Sequence, residues 1–338
     1  MVPQVVLGVI GTNTCPESFS KITSWPLCLA SLHILGPGNP DTDAGAVASF
    51  EYSSVENDPD YPSGCYRTSY GVWFNEHPTG STEPEAAPIC QKDLEPVVTG
   101  GVLWMGDSDT DYWKNTGSIS PGSYNVAVGG YTCEDVLNHF DAMMETFAPS
   151  KIIMTCGEND LFTATVDQTF ARFSTIVEKV VAMESTLIAF GTKDEPSTSE
   201  LWKKYADYDS KIITLAQCLS TDIASEPPLV FVDVNPAFKS IGNPTSLYAA
   251  DQLHLSSEGY ALWDTWASLA LAEAKQGNAS CAVWRSGECE LSSSSVSSGA
   301  RSLSNTTCID TSSSSGGKRS AVSAITVCLS LITTWLLQ

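Results

Sequence analysis

The chain has 338 residues, 42% of them hydrophobic, which is enough for one large or two smaller packed domains and excludes a disordered protein. Its 17 Lys+Arg against 39 Asp+Glu give a formal charge of −22, a balance that repels phosphate backbones and anionic membrane surfaces and argues against a nucleic-acid partner. Eleven cysteines with no C-x-x-C pair argue against zinc or thioredoxin chemistry and favour structural disulfides, hence secretion.

Residues 1–11, "MVPQVVLGVIG", form a short apolar run without a basic flank, read as a weak or truncated signal segment. Residues 12–92 are rich in Pro, Gly, Ser and Asp and carry Cys15, Cys28, Cys65 and Cys90, which predicts a small disulfide-stapled module. A short helix is expected in "PLCLASLHILG" and strands around "GCYRTSYGVWFN". Tyr66, Tyr70, Trp73 and Phe74 of this module have two readings, a platform for stacking sugars or the module's own core.

Residues 100–275 alternate apolar runs with amphipathic stretches, the pattern of an α/β domain. Candidate strands are Val102–Gly106, Asn125–Gly130, Lys151–Cys156, Thr186–Gly191 and Leu229–Val234, each short and nearly continuous in apolar residues, as buried parallel strands are. Val136, Phe140, Met143 and Phe147 recur at helical spacing after the second strand. Phe170, Phe173, Ile176, Val177, Val180 and Val181 do so behind Thr165-x-x-Gln168, a capping-box start. Strand and helix in alternation predict right-handed crossovers and a parallel sheet between helix layers.

Residues 276–320 are a Ser-rich stretch too polar to bury a core, read as a stalk or linker, with sequons at Asn278 and Asn305. Residues 321–338 form an uncharged apolar tail preceded by Lys318 and Arg319 and by small residues. The order of small residues, short polar spacer and terminal apolar tail matches a glycolipid-anchor signal, with a simple membrane span and an unprocessed secreted form as the other readings. Loss of the tail would remove Cys328 and leave ten cysteines.

In open α/β sheets the chemistry lies beyond the carboxyl ends of the strands. There this chain places Ser108, then Gly129-Gly130, then Gly157-Glu158-Asn159-Asp160, and finally Asp251-Gln252-Leu253-His254. Each has a plain structural alternative: a turn serine, a glycine turn, a helix cap, a surface or core histidine. As a set they supply a nucleophile, oxyanion donors and a carboxylate-supported imidazole, which is what acyl transfer needs. The segment "TKDEPSTSELWKKY" after the fourth strand is expected to form one wall of the pocket.

The blocks "GDS", "NVAVGG", "GEND" and "DQLHLSSEGYALW", in this order between Val102 and Lys275, resemble the four blocks of the SGNH, or GDSL, hydrolase superfamily. The one departure is Asp109, where the name-giving motif has leucine. The resemblance implies a three-layer α/β/α flavodoxin-like parallel sheet and a serine esterase or acylhydrolase that needs no cofactor or metal. It implies Ser108 as nucleophile, His254 as base with Asp251 as its orienter, and an oxyanion hole of the Ser108 and Gly130 amides with the Asn159 side chain. A histidine titrating near ~6.5 would make activity rise with pH through about 6 to 7. Expected partners are a small-molecule, lipid or glycan ester, with membrane contact only through the tail or a glycolipid anchor at the cell surface. Two further readings stay open: an acyltransferase acting on glycans, and an inert hydrolase fold carrying a glycan-binding or adhesion module.

Overall fold

A computed structural model of the chain describes residues 4–35, 52–92, 100–220, 227–276, 283–285 and 288–289. The Ser-rich stretch beyond 290, the sequons and the apolar tail lie outside the described residues. Two compact units divide the chain between Ile152 and Ile153.

The first unit opens with strand β1 (Gln4–Leu7), β2 (Ser20–Lys21), helix α1 (Trp25–Leu35), β3 (Tyr52–Glu56), β4 (Pro62–Thr68), β5 (Gly71–Gly80) and β6 (Ala87–Lys92). The strands order as β1-β6-β4-β5-β3, with β2 also on β6. Within this sheet β3 and β5 run parallel, whereas β4 pairs antiparallel with both β5 and β6. Part of the leader-like segment therefore supplies a strand, with Gln4 facing Lys92 and Leu7 facing Ile89. The expected helix and strands of the cysteine module are present, and the bridges are Cys15–Cys90 and Cys28–Cys65. The two readings of its aromatics divide: Tyr66 and Phe74 are buried, while Tyr70 is 84% exposed.

The same unit continues with β7 (Val102–Gly106), α2 (Ser108–Asp111), α3 (Thr116–Ile119), β8 (Tyr124–Asn125) and α4 (Cys133–Phe147). β7 and β8 pair in parallel through Leu103 with Tyr124 and Trp104 with Asn125. The strand expected over Asn125–Gly130 keeps only its first residue. Val126 and Val128 still donate to Trp104 and Gly106, but the Ala127 amide turns to the Asn125 side chain and the Gly129 amide to Asp111. Thr132 and Asp135 form a capping box that starts α4, which buries Val136, Phe140, Met143 and Phe147 as expected.

Strand β9 (Lys151–Thr155) carries the chain into the second unit, which holds α5 (Glu158–Leu161), α6 (Val166–Ala182), β10 (Thr186–Phe190), α7 (Trp202–Ser220), β11 (Leu229–Asp233), α8 (Val234–Ser240), α9 (Ser257–Gln276), β12 (Val283–Arg285) and β13 (Glu288–Cys289). β10, β11 and β12 are parallel neighbours, and β13 closes antiparallel on β12. The fold class is α/β with parallel strands, as the alternation of apolar runs predicts. All five residues of β10 and of β11 are buried, so these strands are wrapped on both faces. β12 lies beyond residue 275, inside the stretch read as linker, with Val283 and Trp284 buried. Among the described residues no helix is long and apolar enough to cross a membrane.

Candidate active site

Ser108 opens α2 directly after β7. Gly106, with φ of 128°, lets the chain leave the strand sharply, a conformation that costs any other residue dearly. Asp107 caps the short helix by accepting the Asp109 amide at 3.1 Å. The structure brings the Gly129-Gly130 turn beside the serine: a Cβ added to Gly129 would lie 3.9 Å from that of Ser108 and 3.4 Å from the Asp111 carboxylate. The Gly129 amide donates to Asp111 Oδ2 at 2.9 Å. Gly130, at φ of 81°, has no acceptor for its amide among the described residues, which suits it to the oxyanion role expected of it.

In the second unit Asp251 and His254 meet as their spacing predicts. His254 Nδ1 lies 2.6 Å from Asp251 Oδ2, while Asp251 Oδ1 accepts the Leu253 and His254 amides at 3.0 and 3.1 Å. One carboxylate thus folds the turn with one oxygen and orients the imidazole with the other. Partial burial pushes the Asp251 carboxyl up, but the hydrogen bonds from the Leu253 amide, the His254 ring and the His254 amide outweigh it and hold the group below its ordinary range. The loop is pinned at both ends by the Tyr248–Leu255 bridge, and the Ser197 amide donates to the Gln252 carbonyl at 3.1 Å.

Asn159 sits on α5, whose start is shaped by Gly157 at φ of 124°. A Cβ there would lie 2.5 Å from the Tyr208 ring, and Tyr208 donates its hydroxyl to the Cys156 carbonyl at 3.0 Å. The residues either side of Asn159 are anchored as well. Asp160, buried, pairs with Arg172 at 2.9 Å, and Glu158 accepts both the Lys193 amide and its ammonium, at 2.8 and 2.7 Å.

Lys193 is the feature that sequence reading missed. Its ammonium, 1% exposed, lies 2.7 Å from Glu158 and 2.7 Å from Glu195. Glu195 also accepts from Thr198 and Tyr205, at 2.5 and 3.2 Å. Burial raises the Glu195 carboxyl, yet the Lys193 charge and the surrounding hydrogen bonds leave it below its ordinary range. The segment expected as a pocket wall is therefore, over Thr192–Glu195, a buried tether. It ties the Asn159 turn, through Glu158, to the 3-10 turn Pro196–Thr198 that holds Gln252. The other histidines serve structure: His33 faces Asp111 at 3.6 Å, His77 accepts the Gly80 amide at 2.9 Å, and His139 stacks on Tyr131.

Residues 105–262 match the family described as GDSL-like Lipase/Acylhydrolase. This stretch belongs to that family. The GDSL-like domain contains all of the expected site residues, and the chain is a hydrolase acting on ester bonds. No curated protein matches the chain significantly in sequence. Among solved structures, an acylhydrolase assignment from Bacteroides fragilis NCTC 9343 is 22% identical, with 55% of this chain and 90% of that chain covered and a TM-score of 0.43. A GDSL-like lipase from Bacteroides thetaiotaomicron VPI-5482 is 19% identical, covering 52% and 88% with a TM-score of 0.41. A catalytic mutant of an acetylxylan esterase from Geobacillus stearothermophilus is 16% identical, covering 54% and 97% with a TM-score of 0.41.

Proposed function

We propose that the GDSL-like domain is a serine esterase or acylhydrolase working through Ser108, His254 and Asp251. The observation that carries this reading is the Asp251–His254 pair at 2.6 Å, one carboxylate serving both turn and imidazole. His254 takes the Ser108 proton as the hydroxyl attacks an ester carbonyl, and Asp251 stabilises the imidazolium. The Ser108 and Gly130 amides and the Asn159 side chain receive the oxyanion, the alcohol leaves with the proton from His254, and water then releases the acid. The substrate is a small-molecule, lipid or glycan ester met outside the cell, on a chain held at the surface by a glycolipid that replaces the tail.

A serine-reactive fluorophosphonate tests the nucleophile. Labelling of the wild type that disappears in Ser108→Ala and falls sharply in His254→Ala is the expected result. Equal labelling of Ser108→Ala sinks the mechanism, and an unlabelled wild type makes the domain an inert scaffold. Product analysis with sugar acceptors separates hydrolysis from acyl transfer. Release of active enzyme from cells by phosphatidylinositol-specific phospholipase C tests the anchor, and a mature C-terminal peptide containing Trp335 refutes it.

A further inference from the structure

One face of the first unit's sheet carries a hollow that the esterase reading does not use. It has a volume of about 180 Å³ and is lined by Tyr61, Tyr66, Thr68, Tyr70 and Trp73 together with Glu56, Glu83 and Glu85. Strand alternation explains the set: Tyr66 and Thr68 share one face of β4, Trp73 sits opposite Tyr66 on β5, and Arg67 between them points to the other face. The lining thus contains three carboxylates and no basic side chain.

The aromatic rings are built as a platform. Tyr61 and Tyr66 have centroids 5.5 Å apart and planes within 23°, and Tyr66 and Trp73 follow at 5.9 Å and 19°. At such separations the rings are offset; Tyr66 is closed off between its neighbours, and Tyr61 and Trp73 are only half-buried. Tyr66 is the buried floor, and its hydroxyl donates to Glu56 Oε1. Glu56 is thereby held at the edge of the hollow. The Cys28–Cys65 bridge fixes the strand beside it, and Tyr70 stands exposed at the rim.

We infer that this hollow is a binding site for a small organic cation, a quaternary or protonated amine that lacks an anionic group of its own. Aromatic faces attract a cation through their quadrupoles, and the three glutamates add direct Coulomb attraction. A neutral sugar can stack and donate hydroxyls to the carboxylates, but it gains no attraction between opposite full charges. The volume also lies below the roughly 300 to 1,000 Å³ typical of pockets for larger ligands, so it suits one ammonium group better than an oligosaccharide. A phosphate next to the ammonium would meet the same carboxylates and be repelled, which separates a free amine from a choline-phospholipid headgroup.

The test is calorimetric titration of the full, oxidised chain with choline, with phosphocholine, with the neutral tert-butyl isostere of choline and with a neutral oligosaccharide. Saturable choline binding is expected, weakened roughly tenfold or more in Glu83→Gln/Glu85→Gln and in Tyr70→Ala, with phosphocholine weaker and the two neutral probes silent. All three changes are at the rim, and circular dichroism checks that each variant folds. Absence of saturable choline binding, equal binding of the neutral isostere, tighter binding of phosphocholine, or an unaltered affinity in both variants overturns the assignment. The readout is independent of ester hydrolysis, so it stands or falls apart from Ser108.

Discussion

Asp251 binds its turn and its histidine with different oxygens, so Asp251→Asn should damage both jobs unequally. The amide can still accept from the Leu253 amide, but it presents the wrong partner to the imidazole. The expected result is a kcat lower by roughly 10³- to 10⁴-fold with little change in KM and an intact circular-dichroism spectrum. On the proposed mechanism Asn159→Ala should cost about 10² to 10³ in kcat, again with KM nearly constant, since an oxyanion donor matters most once the oxyanion forms. Lys193 makes a different prediction. Lys193→Met strands Glu158 and Glu195 in a buried site, so it should lower stability by about 3 to 5 kcal/mol in urea denaturation, whereas a second change, Glu195→Gln, should restore part of it. The Asp251–His254 contact was legible because its two residues stand three apart in the chain. Lys193 with Glu158, Gly157 with Tyr208 and Asp111 with Gly129 were not, since each pair meets only after strands and helices have folded.

At the level of elements, helix α1 and helix α7 carry opposite pH signatures. Burial lowers His33 on α1 to about 4, offset partly by the Ala127 carbonyl that its ring meets at 3.4 Å. The folded state therefore prefers the neutral ring, and the unfolded chain takes up the proton first. This contribution is present above about pH 6.5 and disappears as pH falls through 4, up to about 2 to 3 kcal/mol, so stability should fall over that window and His33→Gln should flatten the slope. Asp209 on α7 behaves in reverse. Its complete burial pushes the carboxyl well above the ordinary range, against hydrogen bonds from the Thr192 amide and hydroxyl and with the Asp233 and Asp194 charges adding to the rise. Its contribution is present at low pH and lost as pH rises through the raised value, so Asp209→Asn should gain on the wild type as pH increases. Chemical denaturation at several pH values measures both. The strands that were read from sequence are the five-residue apolar runs, whose composition alone demands burial. β12 escaped because three residues are too few to show a period, and its burial depends on the Phe231–Asp233 edge it pairs with.

For the molecule as a whole, the two identified bridges staple a part of the first unit whose sheet is otherwise small. Cys15–Cys90 closes a separation of 75 residues and Cys28–Cys65 one of 37, each worth about 4 kcal/mol by loop entropy. Reductant should therefore make residues 12–92 protease-sensitive before the GDSL-like domain, which buries its strands without needing those bonds. Mass spectrometry of the fragments follows the order, and simultaneous digestion of both regions would refute it. Cys133, Cys156 and Cys218 are also disulfide-bonded, so a mild reductant is needed to keep the comparison clean.

The nesting of those two bridges has a consequence for biosynthesis. Translation delivers β1 early, but its partner β6 and Cys90 only after β3, β4 and β5 have been made. Through that interval Cys15 is a thiol with a nearer wrong partner, Cys28, and β1 is a strand with a bare edge. Closure from the inner bond outward, with the outer one sealing the sheet last, avoids a Cys15–Cys28 pairing, and thiol exchange is the route that undoes that pairing where it forms first. Oxidative refolding of the reduced chain without a thiol-exchange catalyst should thus accumulate molecules mispaired within residues 12–92, seen as Cys15–Cys28 peptides by mass spectrometry.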